Sequence, residues 1–309
     1  MSATTMNIGN TPNAAANTKS GAASKFSALT AIAVGVTVLG SASAFPAIRV
    51  GLHDFGPAEL GSLRFAIAAI PAALILLWMQ PKLPSLLDLL RMIYGGAVFV
   101  AAYTLFLNFG EQTVSAGAAS FVINVSPIIT AALAVVFLGE SFGRWAWLGT
   151  AISFGGIGLI ALGEGNGLEI NQGALLILGG AVSAATSTIV QKPLFQRYHP
   201  LVVSAANMVI GALVLSPFLG SALREAASAS QTGFASVIYL GLVPGVLAYG
   251  AWSVALSRLP AARASNLLYA IPAVATLIGI AWLGEVPTTL GIIGGLMALG
   301  GVIVVSLTK

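Results

Sequence analysis

Ten times along this chain of 309 residues, the sequence runs for about 18–23 positions with almost nothing charged in it. The runs are 28–50, 60–79, 92–110, 116–138 and 145–162, then 173–190, 201–219, 236–253, 264–283 and 290–307. At 1.5 Å of rise per residue, about 20 helical residues cover the roughly 30 Å hydrocarbon core of a bilayer. Composition agrees: 7% of residues are charged and 57% hydrophobic, whereas a soluble domain carries about 25% charged residues to cover a water-facing surface. The sequence therefore predicts an all-α, polytopic membrane protein with ten transmembrane helices. The longest connection, 220–235, is too short for a folded domain. Residues 1–25 are small, polar and aperiodic, and read as a disordered tail.

Cation placement sets the direction of the spans. With the N-terminus in the cytoplasm, the inner segments hold Lys19, Lys25, Lys82, Arg91, Arg144, Lys192, Arg197, Arg258, Arg263 and Lys309, whereas the outer ones hold Arg224 alone. Outer loops instead collect Asp54, Glu59, Glu111, Glu164, Glu169, Glu225 and Glu285. Both termini are predicted to be cytoplasmic. The net charge of +4 is spread over short loops, so it speaks for topology and no nucleic-acid partner is expected. With no cysteine and only His53 and His199, neither a metal nor any other cofactor is expected.

A second regularity lies in the greasy runs. "SFVINVSP", Ser120 to Pro127, and "SNLLYAIP", Ser265 to Pro272, place serine and proline alike, 145 positions apart. Each is followed at the same distance by Leu-Gly-Glu, at Leu138-Gly139-Glu140 and Leu283-Gly284-Glu285. The same shift aligns Gly149 with Gly294, and Gly155-Gly156 with Gly300-Gly301. Matches at one offset over two consecutive helices point to internal duplication. Because each half has five spans, the second enters the membrane upside down. An inverted repeat of this kind is a scaffold of alternating-access transporters, which bind substrate near the midplane where the repeats meet.

Ten spans, a five-plus-five duplication, and a serine–proline–"LGE" helix followed each time by a glycine-rich one resemble the EamA family of the drug/metabolite transporter superfamily. The opening spans, "GVTVLGSASAFPAIRVG" and "LRFAIAAIPAALILL" around Arg64, are similar to that family's first segments. The resemblance implies two EamA-like repeats, 26–163 and 171–309. It also implies a place in the bacterial inner (plasma) membrane and export of amino acids or related metabolites, as in YddG-type exporters. The partners implied are a small-molecule substrate and the lipid bilayer. Oligomeric state is left open, a monomer being compatible.

Polar groups inside a bilayer should face protein or a cavity, because an unsatisfied one costs several kcal/mol. Ser120, Asn124 and Pro127 share one face of the fourth helix, as do Ser265, Tyr269 and Pro272 on the ninth, with Asn266 adjacent. Each proline frees a carbonyl one turn earlier, that of Ile123 or Leu268. The expected substrate cavity is formed by Tyr103, Asn124, Pro127, Ser183, Tyr249, Asn266, Tyr269 and Pro272. Serine in a membrane helix also serves close packing, which is the competing role of Ser183. Arg49 and Arg64 lie toward the outer face, within reach of Asp54, Glu59 or Glu111, and are expected in an ion-pair cluster holding an outer gate. Glu140 and Glu285 end their helices where a carboxylate opposes the macrodipole; each is expected to pair with a cation or cap a neighbouring helix. Gly291 and Gly295 have the GxxxG spacing of close helix contact.

An enzyme would need clustered catalytic groups, and the few acids are dispersed singly, so no catalytic residue is expected. A channel filter signature is missing. No Asp or Glu falls mid-span, which disfavours proton-driven efflux of cationic drugs. A nucleotide-sugar carrier would carry lysines or arginines in its central cavity, and the sequence places none there.

Overall fold

The computed structural model describes residues 28–138, 143–164, 171–258 and 268–307, and every element in them is helical. Predicted features outside those residues are the N-terminal tail, Glu140, Ser265, Asn266 and the start of the ninth span. In the first half α1 (Ala28–Ala42) is followed after Ser43 by α2 (Ala44–Gly51), and α3 is Pro57–Met79. Next, α4 (Leu86–Tyr94) runs through a π-helical segment, Gly95–Ala102, into α5 (Tyr103–Gly110). The half closes with α6 (Ala116–Ile123), α7 (Ser126–Leu138) and α8 (Arg144–Gly163). In the second half come α9 (Gln172–Gln191), α10 (Pro200–Leu215), α11 (Leu219–Ser228) and α12 (Gln231–Leu242). A π-helical segment, Val243–Leu247, leads into α13 (Ala248–Arg258). After a 3-10 turn, Leu268–Ala270, follow α14 (Ile271–Leu283) and α15 (Thr289–Leu307).

Local chemistry explains the starts. Ser85, Ser115, Asn171 and Ser230 each accept a backbone N–H of the turn they precede, satisfying donors a new helix leaves orphaned. Pro57 and Pro200 stand at first-turn positions, where no N–H is needed. At the end of α14, Gly284 takes a left-handed φ of 67°, which glycine adopts without steric cost.

Seven helical stretches are long and apolar enough to cross a membrane: Ala28–Gly51, Pro57–Met79, Leu86–Gly110, Arg144–Gly163, Gln172–Gln191, Pro200–Ser228 and Gln231–Trp252. Three shorter apolar helices accompany them, Ala116–Thr130, Leu268–Leu283 and Thr289–Val304. Leu77, Trp78, Leu213, Leu277 and Leu296 project outward from the bundle, more than half exposed, an apolar coat suited to lipid. The segment expected as the loop 220–235 is instead largely helical, since α11 and α12 occupy most of it. Arg224 and Glu225 had broken the apolar run there, but charge on one face of a short amphipathic helix does not end the helix.

Packing follows the shift of 145. Ser153 on α8 donates its hydroxyl to the Ala298 carbonyl on α15 at 2.9 Å, across 145 positions. On either side glycines allow the two backbones to touch: a Cβ on Gly294 would stand 2.5 Å from the Gly156 oxygen, and one on Gly301 would collide with that of Gly149. Adding or subtracting 145 turns one glycine contact into the other. Gly291 and Gly295 likewise face their own chain, against Thr288 and Phe121. The shift also carries the five-residue π segment of the second half onto 98–102, inside that of the first, and α14 resumes at Ile271 where α7 resumes at Ser126.

Candidate functional site

In the middle of the bundle, where α6 breaks into α7 and the 3-10 turn enters α14, lies a cavity of about 340 Å³. The first break has a plain cause. Pro127 has no N–H to offer the Ile123 carbonyl, and the side-chain amide of Asn124 donates to the Ser120 carbonyl at 2.9 Å, closing the turn above the break. Ile123, Asn124, Ser126 and Pro127 face the cavity from this side, and Leu268, Tyr269 and Ile271 from the other. Three of these pairs are related by the shift: Ile123 with Leu268, Asn124 with Tyr269, and Ser126 with Ile271. Phe99 and Pro244, another such pair, come from the two π-helical segments.

The rest of the wall breaks the pattern. Arg64, Tyr103 and Tyr249 line the cavity, and the shift replaces them with Val209, Ala248 and Thr104. Tyr103 stacks obliquely on Phe99, with ring centroids 5.8 Å apart. Arg64 is only 9% exposed, its guanidinium carbon lies 5.0 Å from the Phe65 ring centre, and its Nε has no hydrogen-bond partner among the described residues.

Of the expected cavity residues, Tyr103, Asn124, Pro127, Tyr249 and Tyr269 are brought together. Asn266 is outside the described residues. Ser183 and Pro272 are buried and do not line this cavity. Ser183 spends its hydroxyl on the Gly179 carbonyl at 2.9 Å, and Pro272 offers its carbonyl to the Thr276 hydroxyl at 2.9 Å. Neither group therefore needs a solute. The expectation that no arginine enters the cavity is corrected by Arg64. Missed wall residues are Phe45, Phe99 and Ser41; the π segment holding Phe99 has no sequence mark.

Arg49 and Arg64, expected in one ion-pair cluster, both lie within electrostatic reach of Glu111, but of the two Arg49 alone forms a salt bridge among the described residues. Arg49 donates through Nε to Glu285 at 2.7 Å and through Nη1 to the Glu111 carbonyl. The second Glu285 oxygen accepts the Ala116 N–H at 2.9 Å, so this carboxylate both pairs with a cation and sits at the positive end of α6. Glu164 holds the same end by accepting the Ser115 N–H and hydroxyl. Elsewhere at this end of the bundle, Asp54 accepts the Ser230 hydroxyl at 2.6 Å and its N–H at 3.1 Å, and these two bonds hold the carboxyl below its usual range. At the opposite end the buried Asp88 binds Arg197 at 2.9 Å and Arg91 at 3.3 Å. Among the described residues no three His, Cys, Asp or Glu side chains are placed to hold a metal.

This arrangement is a small, aromatic-walled space with one buried cation, one amide and phenolic hydroxyls. The profile of the EamA-like transporter family matches the chain twice, over residues 27–162 and 171–307. A probable terminal-alkyne amino-acid exporter of Streptantibioticus cattleyicolor is 36% identical over 272 residues, covering 88% of this chain and 91% of the relative. A probable amino-acid metabolite efflux pump of Salmonella typhimurium is 30% identical, with 83% of this chain and 88% of that protein covered. The uncharacterized inner membrane transporter YedA of Escherichia coli is 30% identical, with 79% of each chain covered. A solved crystal structure, 20% identical, matches with a TM-score of 0.59 over 92% of this chain and 99% of that one, a likeness of fold alone. The two matches to the family profile span most of the chain, and the protein belongs to the EamA-like transporter family.

Proposed function

We propose that this protein exports amino acids or related small metabolites across the bacterial inner membrane by alternating access. The observation that carries this reading is the cavity itself, walled by segments of both halves and lined by Arg64, Tyr103, Asn124, Tyr249 and Tyr269. Its volume of about 340 Å³ is in the range of small-molecule sites. Relatives named as an amino-acid exporter and an amino-acid metabolite efflux pump support both substrate class and direction. In this proposal ten spans form two five-helix units, 26–163 and 171–309, of opposite orientation. A pseudo-two-fold axis passes near Ser153 and Ala298, and both termini are cytoplasmic. The paired exchange of glycine contacts between α8 and α15 is what such an axis produces. The Arg49–Glu285 pair joins α2 of one unit to the loop after α14 of the other, and serves as the outer closure.

Two other superfamily cargoes fit less well. An organic cation would meet Arg64 with no described carboxylate lining the cavity, and a nucleotide sugar's two phosphates ask for more than one arginine. Reconstitution into liposomes with a panel of labelled amino acids tests the reading. Accumulation of at least one against empty liposomes is expected. Movement of organic cations under a pH gradient, with no amino acid moved, would overturn it.

A further inference from the structure

Among the described residues that line the cavity, Arg64 is the one with a charged side chain, and the fold gives that charge no hydrogen-bonded partner. Six of the seven described carboxylates have other partners. Asp54 is held by Ser230, Glu59 by Ser221, Asp88 by Arg197 and Arg91, Glu164 by Ser115, Glu225 by the Gly56 N–H, and Glu285 by Arg49 and Ala116. The seventh, Glu111, is wholly buried and within electrostatic reach of both Arg49 and Arg64, but neither of its oxygens makes a hydrogen bond among the described residues. Arg64 is thus a cation about nine-tenths buried, facing a cavity, without a hydrogen-bonded anion among the described residues. A buried charge without a bonded partner is costly, and an orphaned buried donor beside a cavity marks a place for an ion the protein does not itself supply. The planar guanidinium fork matches a carboxylate in geometry and charge. No described carboxylate lines the cavity to meet an ammonium; Asn124 and the phenols offer only neutral acceptors.

Resting on the reading of this cavity as the transport site, we propose that the substrate is gripped by its carboxylate, on Arg64, and that its amino group is dispensable. The site then accepts 2-hydroxy acids with apolar side chains as well as the matching amino acids, and discriminates against carboxamides. Aromatic walls from Phe45, Phe99 and Tyr103 take the apolar side chain. A site built to bond a charged group rejects an analogue lacking it strongly, because its own buried group is left unpaired.

The test uses the full-length purified protein with L-leucine and L-phenylalanine, their carboxamides and their 2-hydroxy acids. Binding is read as thermal stabilisation in detergent, and transport as competition against labelled amino acid in liposomes. The acids and hydroxy acids should bind at least about tenfold more tightly than the amides. In Arg64→Gln that ratio should fall to about one, with Arg64→Lys intermediate because charge remains but the fork is lost. The wild-type ligand series stands even if a variant fails to fold, and a merely structural arginine would not set an acid-to-amide ratio. Equal binding of acid and amide, or loss of binding on removing the amino group, would overturn the inference while leaving amino-acid transport intact. Failure of every carboxylate to bind or compete would overturn the inference outright, whereas organic cations moving in their place would overturn the transport reading itself.

Discussion

The two halves of this molecule agree in backbone and differ in chemistry. Both contain a π-helical segment in the third apolar stretch and a proline at the second position of an α-helix, α7 or α14, that the shift of 145 brings into register. Both also pack a glycine-rich last helix against its counterpart at Ser153 and Ala298. Yet where the first half offers Arg64, Tyr103 and Asn124 to the cavity, the shift of 145 gives Val209, Ala248 and Tyr269. Close contact between backbones constrains residue size and leaves little room for change. A cavity wall is free of that constraint and can be specialised in one half alone. What the two halves share thus gathers at the α8–α15 contact, and their differences gather in the cavity wall.

The packed axis should respond most to substitution. Gly294→Ala places a Cβ 2.5 Å from the Gly156 oxygen and 2.9 Å from the Ile160 nitrogen, so it should cost about 1–3 kcal/mol and lower the melting temperature by several degrees. Gly158, with nothing within 4 Å of an added Cβ, supplies the control: Gly158→Ala should be neutral or stabilising by up to about 1 kcal/mol. Similar losses at both positions would mean the α8–α15 contact is not the constraint described.

In the wall the response should be functional. Tyr269→Ala should reduce liposome transport about tenfold, equivalent to about 1.4 kcal/mol, with the membrane-inserted amount unchanged. Unchanged flux would remove Tyr269 from the site.

At the end of the bundle proposed as outer, Arg49→Met breaks the bond to Glu285 and weakens the tie between the halves. The chain has no cysteine of its own, so a single Ser41→Cys reports on the cavity. Its labelling from outside by a membrane-impermeant thiol reagent should rise about fivefold, as loss of about 1 kcal/mol from the closed state implies. No rise would detach Arg49 from closure.

Smallest is the effect at the Asp54–Ser230 tie. The folded pKa of Asp54 is depressed, so its stabilising contribution is present above the unfolded pKa of about 3.9 and is lost as pH falls through the lower folded value. Melting temperatures of Asp54→Ala and wild type should therefore differ by a small constant amount from pH 5 to 8 and converge as pH falls through the depressed folded value. A gap that persisted at low pH would assign the tie to packing instead.

Much of this was legible in residues. Pro127 announced the break between α6 and α7, and the doubled glycines announced close helix packing without saying that α8 and α15 would be the partners. Tyr103, Asn124, Tyr249 and Tyr269 followed from the cost of burying polar groups in lipid. Arg64 did not, because α3 is apolar on nearly every side and its pattern gives no sign of which face looks inward; proximity in sequence to Asp54 and Glu59 suggested an ion pair. Those acids are satisfied by Ser230 and Ser221, hydroxyls far along the chain that no local pattern connects to them. Ser183 misled for the opposite reason. A serine can satisfy itself on its own helix, four residues back, and then carries no message about a cavity.

The inverted arrangement of the halves can be tested at two positions that the shift of 145 makes equivalent, Lys82 and Ala227, both exposed. Single cysteines there, Lys82→Cys and Ala227→Cys, should react with a membrane-impermeant maleimide on opposite faces: Ala227→Cys on intact cells, Lys82→Cys only after permeabilisation. Labelling of both from the same face would contradict two units of opposite orientation around a common cavity.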